Sequence, residues 1–217
     1  MKTDAELKRD VAEELAWDPA VNASAVGVAV KDGVVTLTGH LDTYAEKAAV
    51  ERVLKRVGGV KAIALELDVR LAPGHVRSDT DIARAAEQAL GWNSMVPANK
   101  VRVIVDRGWV TLQGQLEWDC QRQSAEKAVR ALVGVVGLSN EIALTPRTAP
   151  SDVTRRIREA LTRQAQREAK HLAVQVSGGT VTLQGQVHSW HERQAAQGAA
   201  WAAPGVTQVI NELTIAD

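Results

Sequence analysis

Two histidines three residues apart, His188 and His191, come nearest to metal chemistry in this 217-residue chain, with Glu192 adjacent and His171 upstream. A metal centre needs three or four convergent nitrogen, sulfur or oxygen donors. Two other segments repeat this stretch, and neither carries an equivalent histidine, so no metal site is expected. The lone Cys120 would need a positioned histidine base to act as a nucleophile. Its counterparts in the other repeats are Ala45 and His191, the pattern of a tolerant surface position. The pair Glu13-Glu14 reads as a solvated helix edge. Phosphate cradling needs a glycine-rich loop feeding a helix N-terminus. Gly33, Gly108 and Gly179 fit turns instead, and Gly39, Gly114 and Gly185 fit places where a strand leaves its sheet. No catalytic residue and no cofactor follow from any of these.

Charge and indole remain. Arg155, Arg156, Arg158, Arg163, Arg167 and Lys170 lie off the apolar stripe Val153, Ile157, Leu161, against Asp152, Glu159 and Glu168. A basic amphipathic helix attracts anionic lipid headgroups, each basic side chain contributing about 1 kcal/mol near the surface. The stripe itself is needed for the helix's own core, so the alternative is a plain solvated face. Trp118 and Trp190 either serve as apolar anchors for such a contact or cover a helix–strand junction.

The elements that position these residues are repeated. Asp-Gly-Val-Val-Thr-Leu-Thr-Gly at 32–39 recurs as Arg-Gly-Trp-Val-Thr-Leu-Gln-Gly at 107–114 and Gly-Gly-Thr-Val-Thr-Leu-Gln-Gly at 178–185, at offsets of 75 and 71 residues. A Gly-Val pair follows 20 residues after each block, at Gly59-Val60, Gly134-Val135 and Gly205-Val206. Three copies of one module result, with boundaries at 1–71, 76–145 and 150–217, joined by short proline-bearing linkers. Units this small are marginal alone, so neighbours are expected to pack on one another.

Each copy opens with a helix whose apolar residues recur at i, i+4 and i+8: Leu7, Val11, Leu15, then Ile82, Ala86, Leu90, then Val153, Ile157, Leu161. A hairpin with a two-residue turn follows. Its register places Val26, Val28, Val30, Val35 and Leu37 on one face, and the other copies repeat the pattern. Capping boxes at Thr43/Glu46 and Ser189/Glu192 start a second helix; Trp118 and Gln121 depart from that pattern. Copy three places alanine at nearly every buried position of this helix and is expected to be the least stable alone. A last strand ends each copy, interrupted by Asn140 and Asn211 where copy one has Leu65. Each amide either satisfies a nearby backbone group or contacts a ligand. The fold class is α+β: three tandem two-layer α-β-β-α-β sandwiches, each a small three-stranded sheet with two helices on one face.

The opposite sheet face carries Val34, Ile104 and Trp109 among threonines and glutamines. Packing between repeats or subunits is the leading expectation for these three, ahead of plain exposure or ligand and lipid contact.

The Glu-Leu-Ala-Trp-Asp-Pro helix end, the Asp-Gly-Val-Val-Thr-Leu-Thr-Gly hairpin, and the Gly-Val…Asn-x-Leu-x-Ile strand together resemble the BON domain, across essentially the whole chain. The resemblance implies a non-enzymatic bacterial protein of the OsmY type, linked to osmotic and general stress and to phospholipid or envelope surfaces. In one cytoplasmic branch it implies potassium sensing alongside a LysM domain, for which this chain has no segment. Three functions are therefore expected in order: a stress-linked binding or scaffold module with peripheral contact to anionic phospholipid, a potassium or small-ligand sensor, and a self-assembling homo-oligomer.

Charge narrows the partners. The chain carries 26 basic and 26 acidic residues, and the repeats carry net −2, +1 and +1. No basic footprint for nucleic acid is present. No segment approaches the roughly 18 apolar residues of a membrane span. The charged start Met1-Lys2-Thr3-Asp4 has no signal-peptide pattern, which favours cytoplasm over periplasm.

Overall fold

The computed structural model describes residues 2–145, 153–164 and 172–215, with the backbone alone at 154, 158 and 161–164. The elements run α1 (Asp4–Trp17), β1 (Val26–Lys31), β2 (Val34–Leu41), α2 (Tyr44–Leu54), β3 (Ala62–Val69); α3 (Asp79–Trp92), β4 (Val101–Asp106), β5 (Trp109–Leu116), α4 (Asp119–Arg130), β6 (Gly137–Leu144); α5 (Val153–Gln164), β7 (Leu172–Ser177), β8 (Thr180–Val187), α6 (Trp190–Trp201) and β9 (Gln208–Ile215). This is the expected α+β order, three times over.

Three separate three-stranded sheets form, β1-β2-β3, β4-β5-β6 and β7-β8-β9. In each, the hairpin pair is antiparallel and the second pair parallel. Parallel neighbours need a crossover, which the second helix of each repeat supplies. The hairpin register is the one the turn length implies: Val30 opposite Val35, Val28 opposite Leu37, Val26 opposite Gly39.

Two details differ from the sequence reading. Gly39 and Gly114 do not end their strands, which continue to the buried Leu41 and Leu116. They sit where the antiparallel partner stops, at φ +128° and +152°, and a Cβ there would lie 2.1 Å from the carbonyl oxygen of Ala25 or Lys100. The third turn also differs. Asp32-Gly33 and Arg107-Gly108 have positive φ at both residues, whereas in the third turn Gly178 has it and Gly179 does not. The first two follow type I′ and the third type II′.

Thr43 and Ser189 cap α2 and α6 as their residue types imply, each hydroxyl accepting the N–H of the glutamate three residues on at 3.1 Å. Trp118 has no oxygen to offer, yet half of the box survives: Gln121 Oε1 accepts the Trp118 N–H at 3.2 Å. One apolar cluster fills each repeat. In the third, Ala196, Ala199, Ala200 and Ala203 occupy the helix side of the core, where α2 offers Val50, Val53 and Leu54. A valine or leucine replaced by alanine forfeits about 0.8 kcal/mol per buried methylene.

The repeats meet one another through the first turn of each second helix. Tyr44, the first residue of α2, packs against the core of repeat 2. Arg122, in the first turn of α4, stacks its guanidinium 4.7 Å above the Trp201 ring of repeat 3. Trp190, the first residue of α6, packs against the core of repeat 1 and donates its indole N–H to Val60 O at 2.8 Å. Three seams, the last returning to the first repeat, close the chain into a ring. A heterologous contact that closes in this way leaves no open seam.

Candidate functional site

Surface position decides which of the sequence candidates can meet a partner. Trp190 is already engaged, since its indole seals the seam between repeats 3 and 1. It covers a junction between repeats. Trp118 is half-buried at the start of α4. Arg155 and Arg156 stand exposed on α5, and the Arg155 guanidinium donates to Glu159 at 2.7 Å. The side chain of Arg163 and all of Arg167, Lys170 and His171 lie outside the described residues.

The sheet-face candidates do not join the repeats. Trp109 is 49% exposed and Ile104 50%, and Val34 is exposed as well. Trp109 faces Gly137 across the strand pair, and its ring lies so close over that glycine that a Cβ would fall 2.3 Å from ring carbon. Its N–H donates to Ser139 Oγ at 2.9 Å. An aromatic ring laid over a glycine on the neighbouring strand covers backbone that no side chain protects. The seams run through Tyr44, Arg122, Trp190 and Trp201 instead.

Asn140 takes the local role open to it. Its Nδ2 donates to Arg122 O at 3.3 Å and Glu126 Oε2 at 3.1 Å, while its Oδ1 accepts the Ile142 N–H at 3.3 Å. Asn211 likewise donates to Gln197 Oε1 at 3.1 Å and accepts from Leu213 N. Both amides tie the last strand to the second helix. Cys120 is exposed, and among the described residues no group of three or more His, Cys, Asp or Glu is placed to hold a metal ion. Among them, too, no helix is long and apolar enough to cross a membrane.

Charge is strongly sorted among the first helices. Within α1 there are five acids and two bases; within α5 there are four arginines and one glutamate. Beside α1, a cleft of about 510 Å³ is lined by Asp10, Glu13, Glu14, Trp17 and Arg56. The ammonium of Lys2, 2.6 Å away, holds Asp10 below its ordinary pKa, and the Ala20 N–H, then Arg56, do the same for Asp18. Beside α5, a cleft of about 470 Å³ is lined by Arg155 and Arg156 and floored by Ala160, Ala199, Ala202 and Ala203.

Two features escaped the sequence reading. Trp17 and Trp92, the last residues of α1 and α3, are 83% and 85% exposed. Each lies two residues past the final apolar stripe position, which is the signal that could have found them. Asp4 and Asp79 open their helices and clamp the following turns. Asp4 accepts the N–H groups of Asp32 and Gly33 at 2.8 and 3.0 Å, and Asp79 those of Arg107 and Gly108, both at 2.9 Å.

Comparison with known proteins then adds family. The BON domain profile matches residues 3–70, 78–146 and 151–217. The osmotically-inducible protein Y of Escherichia coli (strain K12) is 29% identical over 126 residues, covering 56% of this chain and 63% of that protein. The match thus spans less than two thirds of the relative's length. Among solved structures, CdsD, a structural protein of the type III secretion system of Chlamydia trachomatis, aligns at 15% identity and a TM-score of 0.27, covering 96% of this chain and 91% of that one. The PrgH periplasmic domain aligns at 12% identity and a TM-score of 0.22, covering 90% and 97%.

Proposed function

The chain belongs to the BON-domain family, in three tandem copies, and from that premise we propose a non-enzymatic bacterial binding module, linked to osmotic stress, that docks peripherally on anionic phospholipid. The stress link rests on the likeness to an osmotically-inducible protein. The lipid contact rests on one observation, the arginine excess of α5 with Arg155 and Arg156 exposed. Attraction of this kind is electrostatic and long-ranged, and it fades once salt shortens the screening length below about 8 Å.

Co-sedimentation with vesicles tests the reading. Protein should pellet with vesicles containing phosphatidylglycerol, stay in solution with phosphatidylcholine alone, and dissociate as salt rises. The double variant Arg155→Gln, Arg156→Gln removes two cations worth about 1 kcal/mol each, a loss of about thirtyfold in affinity. Pelleting that ignores lipid charge, or a double variant that binds like the parent, would refute the lipid contact.

A further inference from the structure

The cleft beside α1 is net acidic and the cleft beside α5 net basic, each holding an ion pair of its own, Arg56 with Glu14 at 3.4 Å in the first and Arg155 with Glu159 at 2.7 Å in the second. One presents a knob, Trp17, 83% exposed and flanked by Glu13 and Glu14. The other presents a hole floored by alanines and rimmed by Arg155 and Arg156. Repeat 3 carries Ala199, Ala202 and Ala203 where repeat 1 carries Val53, Arg56 and Val57, so its cleft is floored by methyl groups where the equivalent cleft of repeat 1 is lined by an arginine and a valine. Trp92, the equivalent tryptophan in repeat 2, lies at the end of a helix with three acids and one base.

We propose that this chain pairs with a second copy of itself, Trp17 of each copy entering the alanine-floored cleft of the other while Glu13 and Glu14 face Arg155 and Arg156. The closing seam makes repeats 1 and 3 neighbours, so α1 and α5 lie in adjacent units of the ring. A twofold axis between them sets each α1 over the partner's α5, giving two identical contacts in a closed, isologous pair. Exposed ion pairs contribute little affinity by themselves. The desolvated indole supplies it, as tryptophans at the centre of interfaces do, and the charges set orientation and encounter rate.

Sedimentation velocity in lipid-free buffer reads this directly. It goes beyond the lipid reading, and with no vesicle in the cell the two fail independently. The parent should show a concentration-dependent dimer whose dissociation constant rises at least about tenfold from low to high salt. Trp17→Ala should be monomeric, while Trp92→Ala should dimerise like the parent. Glu13→Arg with Glu14→Arg should be monomeric, and so should Arg155→Glu with Arg156→Glu. An equimolar mixture of these two double variants should recover a heterodimer, because both contacts then pair opposite charges. All substituted side chains are at the surface, so unchanged circular dichroism verifies the fold. A parent that stays monomeric, a Trp17→Ala protein that still dimerises, or a mixture that stays monomeric would each overturn the proposal.

Discussion

At the scale of single residues, two side chains do more than their positions in the chain announce. Asp79 holds both N–H groups of a turn in which Arg107 adopts φ +50°, a conformation non-glycine residues resist. Asp79→Ala should therefore cost about 1–2 kcal/mol in denaturant unfolding, the usual range for hydrogen bonds to a charged group after allowance for partial exposure. The equivalent position in repeat 3 is Pro150, which has no carboxylate, and there the turn is Gly178-Gly179. Tyr44 is the one tyrosine of the chain, so its ionisation can be read without interference. Burial in the seam between repeats 1 and 2 raises its pKa from 10.0, with Glu126 and Glu51 adding to the rise while Arg130 and a Leu138 backbone hydrogen bond oppose it. A raised folded value means that the seam's stabilisation is complete below pH 10.0 and is lost as pH climbs through the folded value. Tyrosinate absorbance should show a midpoint above that of the unfolded chain, and Tyr44→Phe should abolish the alkaline loss. Neither role was legible beforehand. The Asp79 clamp spans 28 and 29 residues to reach its turn, and Tyr44 serves a neighbouring repeat, so no local pattern marks either.

At the scale of elements, legibility was high for a physical reason. A two-residue turn and a strand period of two determine the hairpin register together, and the apolar pattern agrees with it in all three copies. Helix stripes and caps were equally plain. What periodicity could not tell is the local partner of an exposed apolar residue: the Trp109 ring lies over Gly137 on the neighbouring strand, a contact that appears only once β5 and β6 are paired. The alanine-rich α6 carries a consequence for stability. With less apolar area buried beneath it, repeat 3 should open first. Amide hydrogen exchange should be fastest in β7–β9, intermediate elsewhere, and slowest around Val35, Leu37, Val110 and Leu112, which are fully buried. Equal protection across all three sheets would contradict this order.

At the scale of the whole molecule, the seams are the part hidden from sequence. They involve few residues, Tyr44, Arg122, Trp190 and Trp201, of three types, and a family pattern averages them away. Trp190→Ala removes one indole hydrogen bond and one apolar plug from the closing seam. It should cost about 2 kcal/mol, below the 3–5 kcal/mol of a fully buried tryptophan, and should lower the denaturant slope as the repeats begin to unfold separately. A closed ring also makes the order of the repeats along the chain arbitrary. Ile215 ends its repeat as Val69 does, and Asp4 opens its repeat as Asp79 does, so the gap from Ile215 back to Asp4 is the counterpart of the one that residues 70–78 bridge. A covalent bridge of that length across the first gap, with a cut in the second, would start the chain at repeat 2 and leave every seam in place. Circular permutation is thus written into the architecture: a ring of three repeats offers three places to begin.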